Sequence, residues 1–248
     1  MHVLGIETST TRSHVCLGSE RGLLASAALG RPRSHGEFLI PAIRFCLEQA
    51  GLAMNAVHGI AVDLGPGLYT GMRVGIATAQ TLAHARQLPV VGLNALDLLA
   101  FGVRYARPDR VICAVVDARR QELFWAFYRP AHGGMQRVTE LRVGPPAKLA
   151  GEIEAGGDDV LCVGDGASAH RQVLEASGAV CGSEWSGYPS AEALVELALP
   201  RFVREETQRP EELRAIYLRR ADARINWQKR GAAFGGRGDP APLVGEGR

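Results

Sequence analysis

The chain has 248 residues, of which 46% are hydrophobic and 22% charged, enough apolar material for a sizeable core and for one large domain or two lobes. A formal net charge of +2 excludes a chain designed overall to grip a nucleic-acid backbone. No stretch approaches the roughly 20 apolar residues needed to cross a bilayer.

The opening predicts three strands, Val3 to Glu7, Ser13 to Gly18 and Leu23 to Leu29, with turns at Thr8 to Arg12 and Ser19 to Gly22. Its run straight into a strand, without a leader pattern, makes cytoplasmic residence the expectation. A helix over Gly36 to Ala50 follows, with Ser34 as its cap and Gly51 as its stop. Val57 to Leu64 is an apolar, β-rich run, and Gly65-Pro66-Gly67 forces a turn after it. A second helix is expected over Gly71 to Ala85, then a short strand at Val90 to Gly92 and a helix from Ala95 to about Tyr105.

A polar stretch at Ala106 to Arg110 separates this from a second series. It opens with strand Val111 to Asp117, a turn at Arg119-Arg120 and strand Glu122 to Tyr128. A strand at Val138 to Val143, a helix at Ala147 to Glu154, a strand at Val160 to Val163 and helices at Ala167 to Ser177 and Ala191 to Arg204 complete it. Both series begin with a hairpin whose first strand ends in an acid, Glu7 and Asp117, which suggests a duplicated α/β architecture. The expected division is an N-terminal lobe at 1–106, a C-terminal lobe at 107–230 and a disordered Gly- and Pro-rich tail at 231–248.

Five cysteines, Cys16, Cys46, Cys113, Cys162 and Cys181, form no CxxC pair and have mostly apolar neighbours, so they read as reduced core residues. The seven histidines include no pair three or four residues apart, which argues against a metal site; His35 has Leu39 four residues on and reads as a surface or capping residue. No GxSxG nucleophile turn is present. Asp117, Glu122 and Asp165 could gather as an acidic cluster, but a turn such as Gly164-Asp165-Gly166 is more often a plain loop.

The strongest feature is the run from Gly65 to Ala77, between a buried strand and a helix. Gly65, Pro66, Gly67 and Thr70 fit either a tight structural turn or a phosphate cradle at a helix N-terminus, but the Lys-Ser/Thr ending of a Walker loop is missing. Gly71, Gly75, Ala79 and Ala83 recur every four residues and form a small-residue ridge along one helix face. In the preceding helix Leu39, Ile43 and Cys46 form one apolar stripe, and Phe38, Ala42 and Phe45 a second. Two such neighbours fit either an interface with another protein or helices sandwiched within the fold.

Gly65 to Ala77 resembles the GPGSFTGVRIG signature of the TsaB family. Gly5-Ile6-Glu7-Thr8-Ser9 is similar to that family's IDTS, Asp117-Ala118-Arg119 with Glu122 to Ala126 to its DARxxEVYWA, and Tyr217-Leu218-Arg219 agrees near the end. Leu68, Tyr69, Met72 and Val74 depart from the signature, and Glu7 replaces an aspartate. The resemblance implies a degenerate two-lobed actin-like fold, related to sugar kinases and Hsp70, in which Glu7, Thr8, Ser9 and Thr10 are a vestigial nucleotide hairpin. It implies a non-catalytic subunit that binds and activates TsaD, which transfers a threonylcarbamoyl group to the adenosine beside the anticodon of tRNAs reading codons that begin with A. TsaE completes the assembly. ATP and a divalent metal are then used by the partners, with no cofactor of the chain's own, and tRNA is met only indirectly. The partner-binding residues implied are Leu39, Ile43, Cys46, Gly71, Arg73, Gly75, Ala79 and Ala83, with homodimers through the same faces when the partner is absent. The rival reading is an active small-molecule kinase or ATPase using Thr8 to Arg12 as a phosphate hairpin.

Overall fold

The computed structural model describes residues 1–32, 34–105 and 109–218. The expected tail at 231–248, the junction at 106–108 and Arg219 of the C-terminal motif lie outside the described residues. A first sheet is built from β1 (His2–Glu7), β2 (Ser13–Ser19), β3 (Gly22–Leu29), β4 (Gly59–Asp63) and β5 (Val90–Leu93) in the order β3-β2-β1-β4-β5. The first three strands pair antiparallel, while β1, β4 and β5 pair parallel. β1, β2 and β4 are buried almost throughout because helices cover both faces, which is why they read as continuous apolar runs rather than alternating ones.

On one face, Leu4, Ile6, Val15 and Leu17 meet Leu39, Ile43, Cys46, Ile76, Ala79 and Ala83 of α1 (His35–Gln49) and α2 (Tyr69–Arg86). On the other, Val3, Cys16 and Ala61 meet Leu194, Val195, Ala198 and Phe202 of a late helix, Ala191–Val203. That helix returns from the second half of the chain to close the first sheet.

After α3 (Ala95–Gly102) the second sheet is laid down: β6 (Val111–Arg119), β7 (Glu122–Ala131), β8 (Gly134–Arg137), β9 (Arg142–Gly144), β10 (Val160–Val163) and β11 (Val180–Cys181). Its order is β11-β10-β6-β7-β8, with β9 pairing β7. Read from the other end, β8-β7-β6-β10-β11 repeats the plan of the first sheet: an antiparallel pair of hairpins beside parallel crossovers. The duplicated α/β architecture expected from the paired hairpins is therefore present. One face packs on α3, the other on α4 (Pro146–Gly156) and α6 (Arg171–Ala176). α5 (Asp165–Ala169) leads into α6, and the returning helix is α7.

All five cysteines are buried and free. No helix among the described residues is long and apolar enough to cross a membrane.

Several elements differ from the sequence expectation. The single strand expected at Val138 to Val143 is replaced by β8 and β9, because β7 runs on to Ala131 and two short strands cover its two halves in turn. The helix expected at 167–177 is broken at His170, whose φ is -120°. Ser34 occupies the cap position of α1 without a side-chain capping bond. α2 begins at Tyr69, two residues before the expected Gly71.

Candidate functional site: a closed hairpin under two helices

β1 and β4 run parallel with Ile6 opposite Val62, so Glu7 and Asp63 emerge side by side where the two strands end. Ser9 donates to Glu7 Oε1 through its backbone N–H at 2.7 Å and its hydroxyl at 2.8 Å. The Gly65 N–H donates to Asp63 Oδ1 at 2.7 Å. The remaining oxygens, Glu7 Oε2 and Asp63 Oδ2, are buried with no donor. Burial pushes both acids upward, Asp63 to about 7 and Glu7, with the added charge of Asp63, well above its usual range. Two adjacent buried charges are disfavoured, so both acids are held toward their neutral forms.

The turn that follows β4 lies directly on the β1–β2 hairpin. Leu68 N–H donates to the Ser9 carbonyl at 2.6 Å, and the Thr8 hydroxyl donates to the Gly71 carbonyl at 2.8 Å. A Cβ at Gly67 would run into the Ser9 carbonyl, and one at Gly71 into the Thr8 carbonyl. The Gly65–Pro66 peptide bond is cis. Of the two readings left open by the sequence, Gly65, Pro66 and Gly67 act as a structural turn, with the exposed Thr70 just inside α2. Glu7, Thr8, Ser9 and Thr10 are consequently buried. A nucleotide phosphate with its magnesium does not fit here: the hairpin's groups are covered, and the Glu7 carboxyl at the end of β1 is fully buried.

The ridge of small residues needs correcting. Gly71, Gly75, Ala79 and Ala83 are buried against the chain's own first sheet, as are Leu39, Ile43 and Cys46 of α1. Small residues at these positions let α2 settle onto β1: a Cβ on Gly75 would meet Thr8 Oγ1 and approach Ile6 Cγ2. Of the eight residues expected at a partner, Arg73 alone remains exposed. Sequence periodicity located the ridge correctly but could not say which side of the helix faced the sheet.

The outward faces are a different set. α2 turns Tyr69, Arg73, Ala77, Thr81 and His84 to solvent, and α1 turns out Glu37, Ile40, Arg44, Phe45 and Glu48. Ile40, Phe45 and Tyr69 are large, apolar and exposed. The Arg73 guanidinium carbon stands 3.9 Å from the Tyr69 ring centroid, and Arg73 Nε donates to the Tyr217 hydroxyl at 3.2 Å. The two tyrosine rings lie 5.7 Å apart. This cluster stands over the N-terminus of α2, beside the signature turn.

Comparison with known proteins places this geometry. The family profile described as "TsaD: tRNA N6-adenosine threonylcarbamoyltransferase" matches residues 30–227. The solved structure titled "YeaZ from Pseudomonas aeruginosa" is 32% identical, covers 88% of this chain and 99% of its own, and superposes with a TM-score of 0.77. The chain belongs to the TsaB/YeaZ family. Among its relatives, "tRNA threonylcarbamoyladenosine biosynthesis protein TsaB" of Escherichia coli is 28% identical over 92% of this chain and 98% of its own length. The protein of the same name from Haemophilus influenzae is also 28% identical, over 92% and 96%.

Several polar groups of this family member escaped the sequence reading. Asp63 was absorbed into an apolar run, although an acid closing such a strand just before Gly65 was a legible signal. His35 is buried and bonded to the Ser13 hydroxyl at 2.7 Å rather than lying at the surface, and burial lowers its pKa. Ser26, His14 and Glu192 meet like a catalytic triad: Ser26 Oγ donates to Glu192 Oε1 at 2.5 Å, and His14 Nε2 lies 2.9 Å from Ser26 Oγ. The Ala191 N–H, however, donates to His14 Nδ1 at 3.2 Å, so Nε2 carries the proton and no ring nitrogen is left to act as base. The trio ties α7 to β2 and β3.

In the second half, Asp165 Oδ1 accepts from the Asp117 N–H at 2.9 Å, and Asp117 in turn accepts from the Arg119 N–H at 2.7 Å. Burial raises Asp165 to about 6. Asp117 and Asp165 are thus brought together as supports for the β6–β7 turn. A cleft of about 680 Å³ lies nearby, lined among others by Arg12, Asp165, Ser168 and Trp185, the last 94% exposed.

Proposed function

We propose that this chain is a non-catalytic subunit in tRNA threonylcarbamoyladenosine biosynthesis, which binds and activates a TsaD-type transferase acting with TsaE. The observation that carries the reading is the closed hairpin: Thr8, Ser9 and Thr10 are buried beneath the signature turn, and Glu7 is fully buried with Ser9 bonded to its carboxyl. A fold of the kinase type needs an accessible carboxylate for its metal and an open phosphate loop, and the first lobe supplies neither. ATP and the divalent metal belong, on this reading, to the partners, and tRNA is contacted through them.

The partner surface consists of the outward stripes of α1 and α2, not the buried ridge. Ala77 and Thr81 are small, exposed and one helical turn apart, leaving room for a neighbouring helix to come close. Ile40, Phe45 and Tyr69 provide the apolar anchors beside them.

Reconstitution tests this directly. Purified TsaD and TsaE, with ATP and a threonylcarbamoyl donor, are expected to modify tRNA only when this chain is added. Full modification without it, or ATP turnover by this chain alone at an ordinary enzymatic rate, overturns the reading.

A further inference from the structure

Where α3, α7 and the β7–β8 hairpin come together at the end of β5, they enclose a pocket of about 210 Å³. Part of its wall is apolar: Leu93, Phe101 and Met135 line it, the first two almost fully buried. The rest carries three charged groups, Asp97 on α3, Arg137 on β8 and Arg201 on α7.

The acid among them is already satisfied. Asp97 Oδ1 accepts from the Tyr128 hydroxyl at 2.8 Å, and Oδ2 accepts from the Asn94 side-chain amide. Arg137 reaches Oδ1 only at 3.5 Å, longer than a hydrogen bond of good geometry. The half-buried Arg201 side chain has no hydrogen bond or ion pair among the described residues. Glu206, on which its charge acts, is held at both oxygens by Arg204, at 2.7 and 3.0 Å. The lining thus sets two guanidiniums against one carboxylate that has other donors.

We propose that this pocket binds a small aromatic carboxylic acid, its carboxylate between Arg137 and Arg201 and its ring against Phe101 and Met135. A guanidinium is a planar fork that matches a carboxylate and gives up its weak hydration readily at a half-buried site. Phe101 offers a ring face and Met135 a polarisable sulfur, both of which favour an aromatic body. The volume lies below the ~300–1,000 Å³ of drug-sized sites, so the occupant is about one ring in size. An inorganic anion leaves the apolar wall unused, and a neutral ring leaves the excess positive charge unanswered. A bound acid ties β8 of the second sheet to α7, the helix that closes the first. None of the lining residues belongs to α1 or α2, so the pocket stands or falls independently of the proposed transferase contact.

The test is NMR on the full chain carrying ¹³C-methyl methionine, with Met135 as the reporter in the pocket and Met72, buried under the signature turn, as the internal control. Benzoate is expected to shift the Met135 methyl saturably and leave Met72 in place. Its dissociation constant should be about 1 mM or lower, which a ligand this small reaches only by combining an ion pair with apolar contact. Benzamide, of the same shape without the charge, and inorganic phosphate, an anion without the ring, should each bind at least tenfold more weakly. Arg201→Gln, which removes a side chain bonded to nothing else in the fold, should weaken benzoate at least tenfold with an unchanged circular dichroism spectrum. No Met135 shift up to about 20 mM benzoate, an equal response to benzamide or to phosphate, or undiminished binding by Arg201→Gln overturns the proposal. The two comparison ligands act on the wild type, so the outcome does not depend on any variant folding.

Discussion

Replacing Gly71 by alanine is the sharpest probe of how the signature turn sits on the hairpin. The added Cβ points at the backbone carbonyl of Thr8, with His35 Nε2 at 3.2 Å and the Thr8 carbonyl carbon at 3.3 Å behind it. Neither is the free end of a flexible side chain: Thr8 is held by its hydroxyl bond to the Gly71 carbonyl at 2.8 Å, and His35 by Ser13 at 2.7 Å. Relief therefore requires α2 to lift from β1. Overpacking of this kind costs about 1–3 kcal/mol, and weakening the buried Thr8 bond adds about 1 kcal/mol. Helix propensity returns up to about 1 kcal/mol, because alanine outranks glycine. The expected net loss is about 2 kcal/mol, or roughly 4–8 °C in melting temperature for a chain of this size. Urea and thermal denaturation measure it, with Gly36→Ala as the control, since a Cβ there meets nothing within 4 Å. Gly36→Ala should be neutral or slightly stabilising. Equal stability of the two alanine variants would refute the close approach of α2 to the hairpin.

Burial of Asp63 beside Glu7 makes stability fall as pH rises. Asp63 is carried to about 7 by burial, above its unfolded value of about 3.9. Its protonated form therefore contributes fully below about pH 4, and that contribution is lost as pH climbs through 7. Asp63→Asn keeps an acceptor for the Gly65 N–H and offers a donor to Glu7 Oε2. Between pH 5.5 and 8.5 the wild type should lose more than about 1 kcal/mol relative to this variant, read by urea denaturation; parallel pH profiles would contradict the upward shift of Asp63. Asp165, raised to about 6, contributes the same trend to both proteins. Glu192 acts below this window: burial pushes it up, but hydrogen bonds from His14 and Ser26 hold it at about 2.

Much of the architecture could be read from patterning. The hairpin pairs opening each half, the apolar run of β4 and the stop at Gly51 follow from local chemistry that the fold does not override. The errors arose where tertiary packing decides. Val138, Leu141 and Val143 carry apolar spacing that suits one strand, but the length of β7 divides the work between β8 and β9. The spacing of Gly71, Gly75, Ala79 and Ala83 shows that something approaches α2 closely without saying what. It is Thr8 and Ile6 of the same chain, and the opposite face is the one left exposed. Tyr69, Arg73 and Tyr217 converge from positions 144 residues apart, Arg73 to Tyr217, which no local pattern reveals. Glu7 and Asp63 meet only because β1 and β4 are parallel neighbours.

On the proposed reading α2 has two faces with separate duties: the small-residue ridge packs on the chain's own sheet, and the outward stripe is the surface offered to the transferase. Substituting Ala77 by arginine separates them, since the position is exposed and its change should alter stability by no more than about 0.5 kcal/mol. Added to TsaD and TsaE, a folded Ala77→Arg chain is predicted to leave tRNA modification near the level seen with no chain at all. Wild-type modification by that variant would place the working surface elsewhere and contradict the assignment.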